Sequence, residues 1–317
     1  MNFKNIPYKN MHGTQFNLIV ILGPTASGKT MLAVRLAKEM GSEIISADSR
    51  QVYRGMDIGT GKDLKEYIVD GVAVPYHLID VVDPDHEFSV FEYQQRFFRC
   101  FSEISSRGIV PVMVGGTGLY IESVLMRYRM MEVPENSTLR QELEKEDMQA
   151  LARRLLHADP AVHNTTDFLD QKRLIRAIEI REFTKLHEHE SKDTFPVINP
   201  LIIGVRWERS ILRQRITSRL KDRLHSGMIE EVKKLNDSGI TWDKLDFFGL
   251  EYRYVGLYLQ GRISYDDMFK KLNTQIHQFA KKQETWFRRM EKRGIQIHWI
   301  NGEDLNSIEE IVERLIK

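Results

Sequence analysis

The segment Gly23-Pro24-Thr25-Ala26-Ser27-Gly28-Lys29-Thr30 has the spacing G-x-x-x-x-G-K-[ST], and the chemistry of that spacing is the grip of a phosphate chain. Glycines let the backbone approach an anion closely and take positive φ where the loop needs it. Amide N–H groups of the loop and of the helix that follows converge on the anion. Lys29 adds a point charge, and the Thr30 hydroxyl is placed to bind Mg²⁺. Such a loop specifies phosphate, most often that of a nucleoside triphosphate. A nucleotide hydrolase or kinase would also close an apolar strand with a metal-binding Asp. Here the run over residues 109–114 ends in Gly115-Gly116-Thr117-Gly118, without an acid. That weakens the kinase and ATPase readings.

A second constellation follows the next apolar run: Asp48-Ser49-Arg50-Gln51-Val52-Tyr53, continuing to Asp57-Ile58-Gly59-Thr60. In open α/β sheets ligands bind beyond the carboxyl ends of the strands. Asp48 lies just past such an end, where a carboxylate beside a phosphate chain can serve as general base or hold metal-bound water. Its bland alternative is a helix cap. Gln51 can read an amide-like or base edge, and Asp57 is equally a turn residue.

These groups need a scaffold, and the apolar pattern supplies one. Leu18–Leu22 is a short, β-branched run of the kind that forms a buried parallel strand. Residues 31–40 carry Leu32, Leu36 and Met40 at helical spacing and stop at Gly41. Residues 43–46, 109–114 and 201–205 read as further strands with helices between them, which means an α/β fold: a P-loop parallel sheet flanked by helices. From residue 134 to about 189 strand signals stop, while Leu139, Leu143, Met148, Leu151, Leu155, Leu174, Ile178 and Phe183 recur at helical spacing. This reads as an all-helical insertion domain. The expected division is an extension over 1–17, a catalytic core over 18–130 and 196–317, and an insert over 131–195. Residues 211–235, 265–290 and 308–316 read as helices and 295–300 as an edge strand.

Composition narrows the classes. The 317 residues are 42% hydrophobic and 29% charged, with net charge +1. Such a chain buries a normal core and is not a basic nucleic-acid binder as a whole, so an RNA surface would be local. Cys100 is the single cysteine, which excludes an internal disulfide and fits a reducing, cytoplasmic setting. No apolar run reaches the ~18 residues of a membrane span, and no apolar stripe is left over for an oligomer, so a monomer is expected. His187-Glu188-His189-Glu190 lacks the spacing of a shared helix face and reads as a solvated helix end. His77 reads as a structural hydrogen-bonder.

Taken in order, G-P-T-A-S-G-K-T, A-D-S-R-Q-V-Y-R-G-M-D-I-G-T, P-Y-H-L-I-D-V-V-D-P, V-G-G-T-G-L-Y and A-K-K-Q-E-T-W-F-R-R closely resemble the bacterial tRNA dimethylallyltransferase (tRNA isopentenyltransferase) family. The resemblance spans roughly residues 18–289. It implies transfer of a dimethylallyl group from dimethylallyl diphosphate, held by the P-loop and Mg²⁺, to N6 of the adenosine next to the anticodon. It also implies catalytic roles for Asp48, Thr117 and Arg223, the last on a stripe with Arg215 and Arg219. tRNA contacts are implied at Asp48, Ser49, Arg50 and Gln51, and in the insert at Arg140 and Lys172-Arg173-Leu174-Ile175-Arg176. Lys281, Lys282, Arg288 and Arg289 would add a basic helix face carrying Trp286 and Phe287. Two departures stand out. The family's Asn-Asp-Pro before the insert arginines is replaced by Asp167-Phe168-Leu169-Asp170-Gln171, and its G-Y-[RK] turn reads Glu251-Tyr252-Arg253 with Gly249 displaced. The competing readings are prenyl transfer to a free adenine nucleotide, a P-loop nucleotide kinase, and an RNA-binding protein without catalysis.

Overall fold

The order of apolar runs predicts a parallel sheet, and the computed structural model, which describes residues 16–158, 170–187 and 195–303, contains one. Strand β1 (Leu18–Leu22) leads through the Gly-rich loop into helix α1 (Lys29–Met40) and strand β2 (Ile44–Ala47). A two-stranded hairpin, β3 (Ile68–Val69) and β4 (Val72–Ala73), precedes the two-residue strand β5 (Tyr76–His77). Helix α2 (Val90–Ser106), strand β6 (Val112–Gly115) and helix α3 (Gly118–Leu125) complete the first half. After the insert come β7 (Pro200–Arg206), α7 (Arg209–His225), α8 (Met228–Asp237), α9 (Trp242–Phe247), α10 (Leu250–Leu259), α11 (Tyr265–Lys292) and β8 (His298–Asn301).

The main sheet has the order β5-β2-β6-β1-β7-β8 with every pair parallel. All residues of β1, β2 and β6 are buried, as expected for strands covered on both faces. On one side Ile19, Ile21, Val112 and Ile203 pack on Leu32 and Leu36 of α1. Another core joins Val52, Tyr53 and Met56 to α7, α8, α10 and α11 through Leu212, Leu220, Val232, Val255 and Leu272. Among the described residues no helix is long and apolar enough to cross a membrane.

Several boundaries differ from the sequence expectation. Strand β6 starts after Pro111, which lacks the N–H a ladder needs. The helix expected over 211–235 breaks at Ser226-Gly227, where Gly227 takes φ 99° and opens α8. Helices α9 and α10 were not expected, and Glu251-Tyr252-Arg253 lies in the first turn of α10 rather than in a turn.

The chain divides into two units, residues 1–127 with 196–317, and residues 128–195. The second holds α4 (Ser137–Leu143), α5 (Met148–Ala158) and α6 (Gln171–Leu186). Its core consists of Leu143, Leu151, Leu155, Leu174, Ile175 and Ile178. Asp170 caps α6 by accepting from the Arg173 N–H at 3.1 Å. Residues 167–169, 188–190 and 308–316, on which sequence readings fall, lie outside the described residues.

Candidate active site

Three strand ends set the site. Gly115 is in register with Leu22 on one side and Ala47 on the other. Gly23, Gly116 and Asp48 therefore leave the sheet side by side. The P-loop, the Gly-Gly-Thr turn and the Asp48 loop start at one level.

The P-loop is held from outside. Ala26 and Gly28 take positive φ, 62° and 86°. Trp207 Nε1 donates to the Ser27 carbonyl at 2.8 Å, and Arg215 Nε donates to the Ala26 carbonyl at 2.9 Å. The Arg215 guanidinium also lies 4.3 Å from the centre of the Trp207 ring. Gln283 Oε1 accepts the Thr25 N–H at 2.8 Å. Helix α1 receives no side-chain cap at Gly28, so its first amides are left to serve as an anion site. Lys29 Nζ donates to the Pro24 carbonyl at 3.3 Å. Burial and the neighbouring Arg219 lower its pKa to about 8, with a further push from Arg223 opposed by Asp48 and Glu66. The Ser27 hydroxyl is buried and has no hydrogen-bond partner among the described residues.

Asp48 does not cap a helix. Its Oδ1 accepts the Arg50 N–H at 2.9 Å, closing a tight side-chain turn. Thr117 Oγ1 accepts the Ser49 N–H at 3.0 Å, and the Thr117 N–H donates to the Ala47 carbonyl at 3.2 Å. Thr117 thus ties the second loop to the Gly-Gly-Thr turn. Gln51 is anchored at both ends: Ser46 Oγ donates to its Oε1 at 3.2 Å and its Nε2 donates to the Gly61 carbonyl at 3.1 Å. Both ends of the amide brace the loop, and each keeps one further hydrogen-bonding position. Arg50 lies 5.2 Å from the ring centre of Phe247.

Asp57 is likewise structural. It pairs at 2.7 Å with Lys62, whose side chain is 1% exposed and also meets Asp80 and the Tyr53 carbonyl. Such partners offset the cost of taking an ammonium out of water. Glu231 holds the same loop from α8, accepting the N–H groups of Asp57, Ile58 and Gly59 at 2.9, 2.6 and 3.0 Å and the Tyr252 hydroxyl at 2.8 Å.

The arginine stripe on α7 faces these loops. Arg215 grips the P-loop, and Arg219 donates to the Gly61 carbonyl at 3.4 Å and pairs with Asp63. Arg223 approaches Glu251 at 3.7 Å, and its Nε is buried without a partner among the described residues. Burial and Arg219 pull the Arg223 pKa below the ordinary guanidinium value, while burial pushes the Glu251 carboxyl up. Lys29, Arg219 and Arg223 repel one another, so an anion placed among them is favoured.

The other expected residues divide. Arg289 is bound to buried Glu122 at 2.8 Å and stacks on Trp286 at 3.9 Å, and Phe287 is core. Lys281, Lys282 and Arg288 remain exposed on α11. Within the insert, Glu179, 2% exposed, binds Arg140 at 2.9 Å and also pairs with Arg176. It accepts the Asn136 N–H at 2.6 Å as well. Both arginines thus have an internal carboxylate. Leu174 and Ile175 point into the insert core, so their side chains are not a contact surface, a correction to the expected run. Lys172 and Arg173 are exposed. His77 bonds Glu43 at 2.7 Å as a structural group, and burial raises the Cys100 thiol pKa.

Sequence reasoning missed Glu231, Lys62, Glu251, Trp207 and Gln283. Gln283 lies inside the A-K-K-Q-E-T-W-F-R-R motif and Glu251 in the displaced turn, but all except Lys62 are far along the chain from the loops they hold, so their contacts were not legible.

The family described as IPP transferase matches residues 51–290, and that described as isopentenyl transferase matches residues 16–73. A relative from Syntrophus aciditrophicus, tRNA dimethylallyltransferase 1, is 62% identical over 294 residues, covering 93% of this chain and 96% of its own. The tRNA dimethylallyltransferase 1 of Geotalea uraniireducens is 58% identical over 289 residues, covering 90% and 93%. The solved full-length tRNA isopentenylpyrophosphate transferase from Bacillus halodurans is 34% identical with a TM-score of 0.65, covering 95% of this chain and 98% of that one. With its three loops aligned at one edge of the sheet and these matches running nearly end to end, the chain belongs to the IPP transferase family.

Proposed function

We propose that the chain transfers a dimethylallyl group from dimethylallyl diphosphate to N6 of the adenosine adjacent to the anticodon of tRNA. The observation that carries this reading is the common register of Leu22, Gly115 and Ala47. It puts the P-loop, Thr117 and Asp48 at adjacent strand ends, with no acid at the end of β6.

The pyrophosphate of the donor takes the amides of α1 and the cation set Lys29, Arg219 and Arg223. The N6 lone pair forms the new N–C bond as the allylic C–O bond breaks, and the electron pair leaves with pyrophosphate. Asp48 accepts the proton that N6 sheds. Charge grows on the departing oxygens, where fixed cations and amides are worth about 10²- to 10³-fold in rate per group removed. Thr117 holds the Asp48 loop through Ser49.

Mg²⁺ takes hard oxygen donors, one or two from protein and the rest from phosphate and water. The half-buried Thr30 hydroxyl on the first turn of α1 is a donor of that kind, so it fits the ion. When bound, the cation neutralises charge on the leaving pyrophosphate.

An adenosine in an RNA loop must leave its stack to reach such a group. Lys172 and Arg173 of the insert are exposed cations available to meet RNA phosphate. The test is incubation with Mg²⁺, labelled dimethylallyl diphosphate and tRNA carrying anticodon-loop adenosines, beside parallel reactions with AMP. Label in tRNA is expected; label in AMP alone overturns the assignment.

A further inference from the structure

We propose that Gln283 is a positioning residue that fixes the gap between the P-loop and the turn carrying Thr117. The inference rests on the functional reading above. Gln283 lies on α11 and is 7% exposed. Its Oε1 accepts the Thr25 N–H at 2.8 Å, and its Nε2 donates to the Gly116 carbonyl at 2.9 Å. Donor and acceptor sit on one planar, neutral group, so the amide spans the two loops in a fixed orientation. Gly116 admits it: a Cβ there would lie 2.4 Å from Nε2 and 3.3 Å from the Gly23 carbonyl. The start of the P-loop, the Gly-Gly-Thr turn and the Gln283 amide therefore meet at one point.

The contact continues along the helix. Trp286, three residues on, packs on Gly118 so closely that a Cβ there would lie 2.3 Å from the indole Cδ1. Arg289, three further on, bonds Glu122 of α3 at 2.8 Å. Residues at this spacing share a face of a helix. Helix α11 thus grips the turn and α3 from outside, and Gln283 extends that grip to the P-loop.

The consequence concerns both partners of the reaction. The P-loop seats the pyrophosphate, and Thr117 holds the loop of Asp48 through the Ser49 N–H. A change in the gap shifts the leaving group relative to the base. Displacements of about 1 Å cost such reactions on the order of 10²-fold.

The substitution Gln283→Glu keeps the shape and the acceptor but loses the donor when ionised, setting a carboxylate against the Gly116 carbonyl. The protonated acid restores the donor. Gln283→Leu removes both bonds. Four measurements on the full chain separate the roles: calorimetric binding of inorganic pyrophosphate with Mg²⁺, steady-state prenylation against pH, tRNA affinity, and Tm. For Gln283→Glu at alkaline pH we expect pyrophosphate binding weakened about tenfold and kcat lowered about 10- to 100-fold, with tRNA affinity unchanged. The deficit relative to the parent should shrink as pH falls. Gln283→Leu should show the same losses without recovery in acid. Pyrophosphate affinity and kcat equal to the parent's at a temperature where the variants are folded overturn the proposal, as does a loss confined to Tm. A parent that prenylates no tRNA sinks the functional reading, while the pyrophosphate measurement still decides the role of Gln283.

Discussion

Arg223 lies so close over Gly61 that a Cβ at residue 61 would sit 1.5 Å from Nη2 of the guanidinium. Gly61 also has φ 65°, a conformation L side chains rarely adopt. Glycine here is therefore a condition for the place of the arginine. Gly61→Ala should expel Arg223 and lower kcat/KM for the donor by about 10²- to 10³-fold, as removal of a transition-state donor does. In a double-mutant cycle, Gly61→Ala in the Arg223→Ala background should add little, because both changes remove one interaction. Fully additive losses would show that the two residues act separately.

Asp48 directly follows Ala47, the last residue of β2, which is in register with Gly115. If it accepts the N6 proton, Asp48→Asn should cut kcat by about 10²- to 10⁴-fold. Pyrophosphate affinity, measured separately, should stay close to the parent's. Unchanged turnover would remove Asp48 from the role of base.

Lys29 titrates near physiological pH because burial and Arg219 disfavour its cation, bringing its pKa to about 8. A bound pyrophosphate favours the cation and raises that pKa. Binding should therefore be strongest below about pH 8 and weaken as pH rises through it, with proton uptake in calorimetry run in buffers of different ionisation enthalpy. Lys29→Arg stays charged throughout, so the Lys29 share of this slope should vanish in the variant. A slope common to both would belong to the ligand alone.

The insert separates structural from exposed arginines. Arg140 serves Glu179, whose carboxyl it and Arg176 hold below the usual range against burial. Arg140→Ala should lower stability by roughly 1–3 kcal/mol, read as a reduced denaturation midpoint. Arg173→Ala should leave stability intact, weaken tRNA binding, and reduce the slope of log affinity against log salt by about one. Equal effects of the two substitutions on tRNA affinity would contradict the division.

Glu231 accepts three consecutive N–H groups and the Tyr252 hydroxyl. Glu231→Ala leaves those amides short of partners and should destabilise the protein by about 1–3 kcal/mol. Hydrogen exchange should speed at Ile58 and Gly59 before the core of β1 is affected. Unaltered exchange at those amides would mean that water replaces the carboxylate.

What could be read from residue order was local chemistry. The loop from Gly23 to Thr30, the apolar run of β1 and the leucines of α1 declare themselves within a few residues, and all three stand where expected. The Asp48 loop could be located but not interpreted. Whether Gln51 faces a ligand depends on Gly61, and the place of Asp57 depends on Lys62. Glu231 reaches its loop from more than a hundred residues away, so no periodicity marks it. Strand β5 has two residues, too few for alternation to show. The arginines of the insert matched a pattern, yet only their distance from Glu179 separates braces from exposed cations.

Strand β1 needs β6 on one side and β7 on the other, and the whole insert lies between those two in the chain. In synthesis β1 and β6 precede β7, and residues 128–195, which have their own leucine core and carboxylate anchor, come between β6 and β7. That unit can close before β7 exists, as domains do during synthesis.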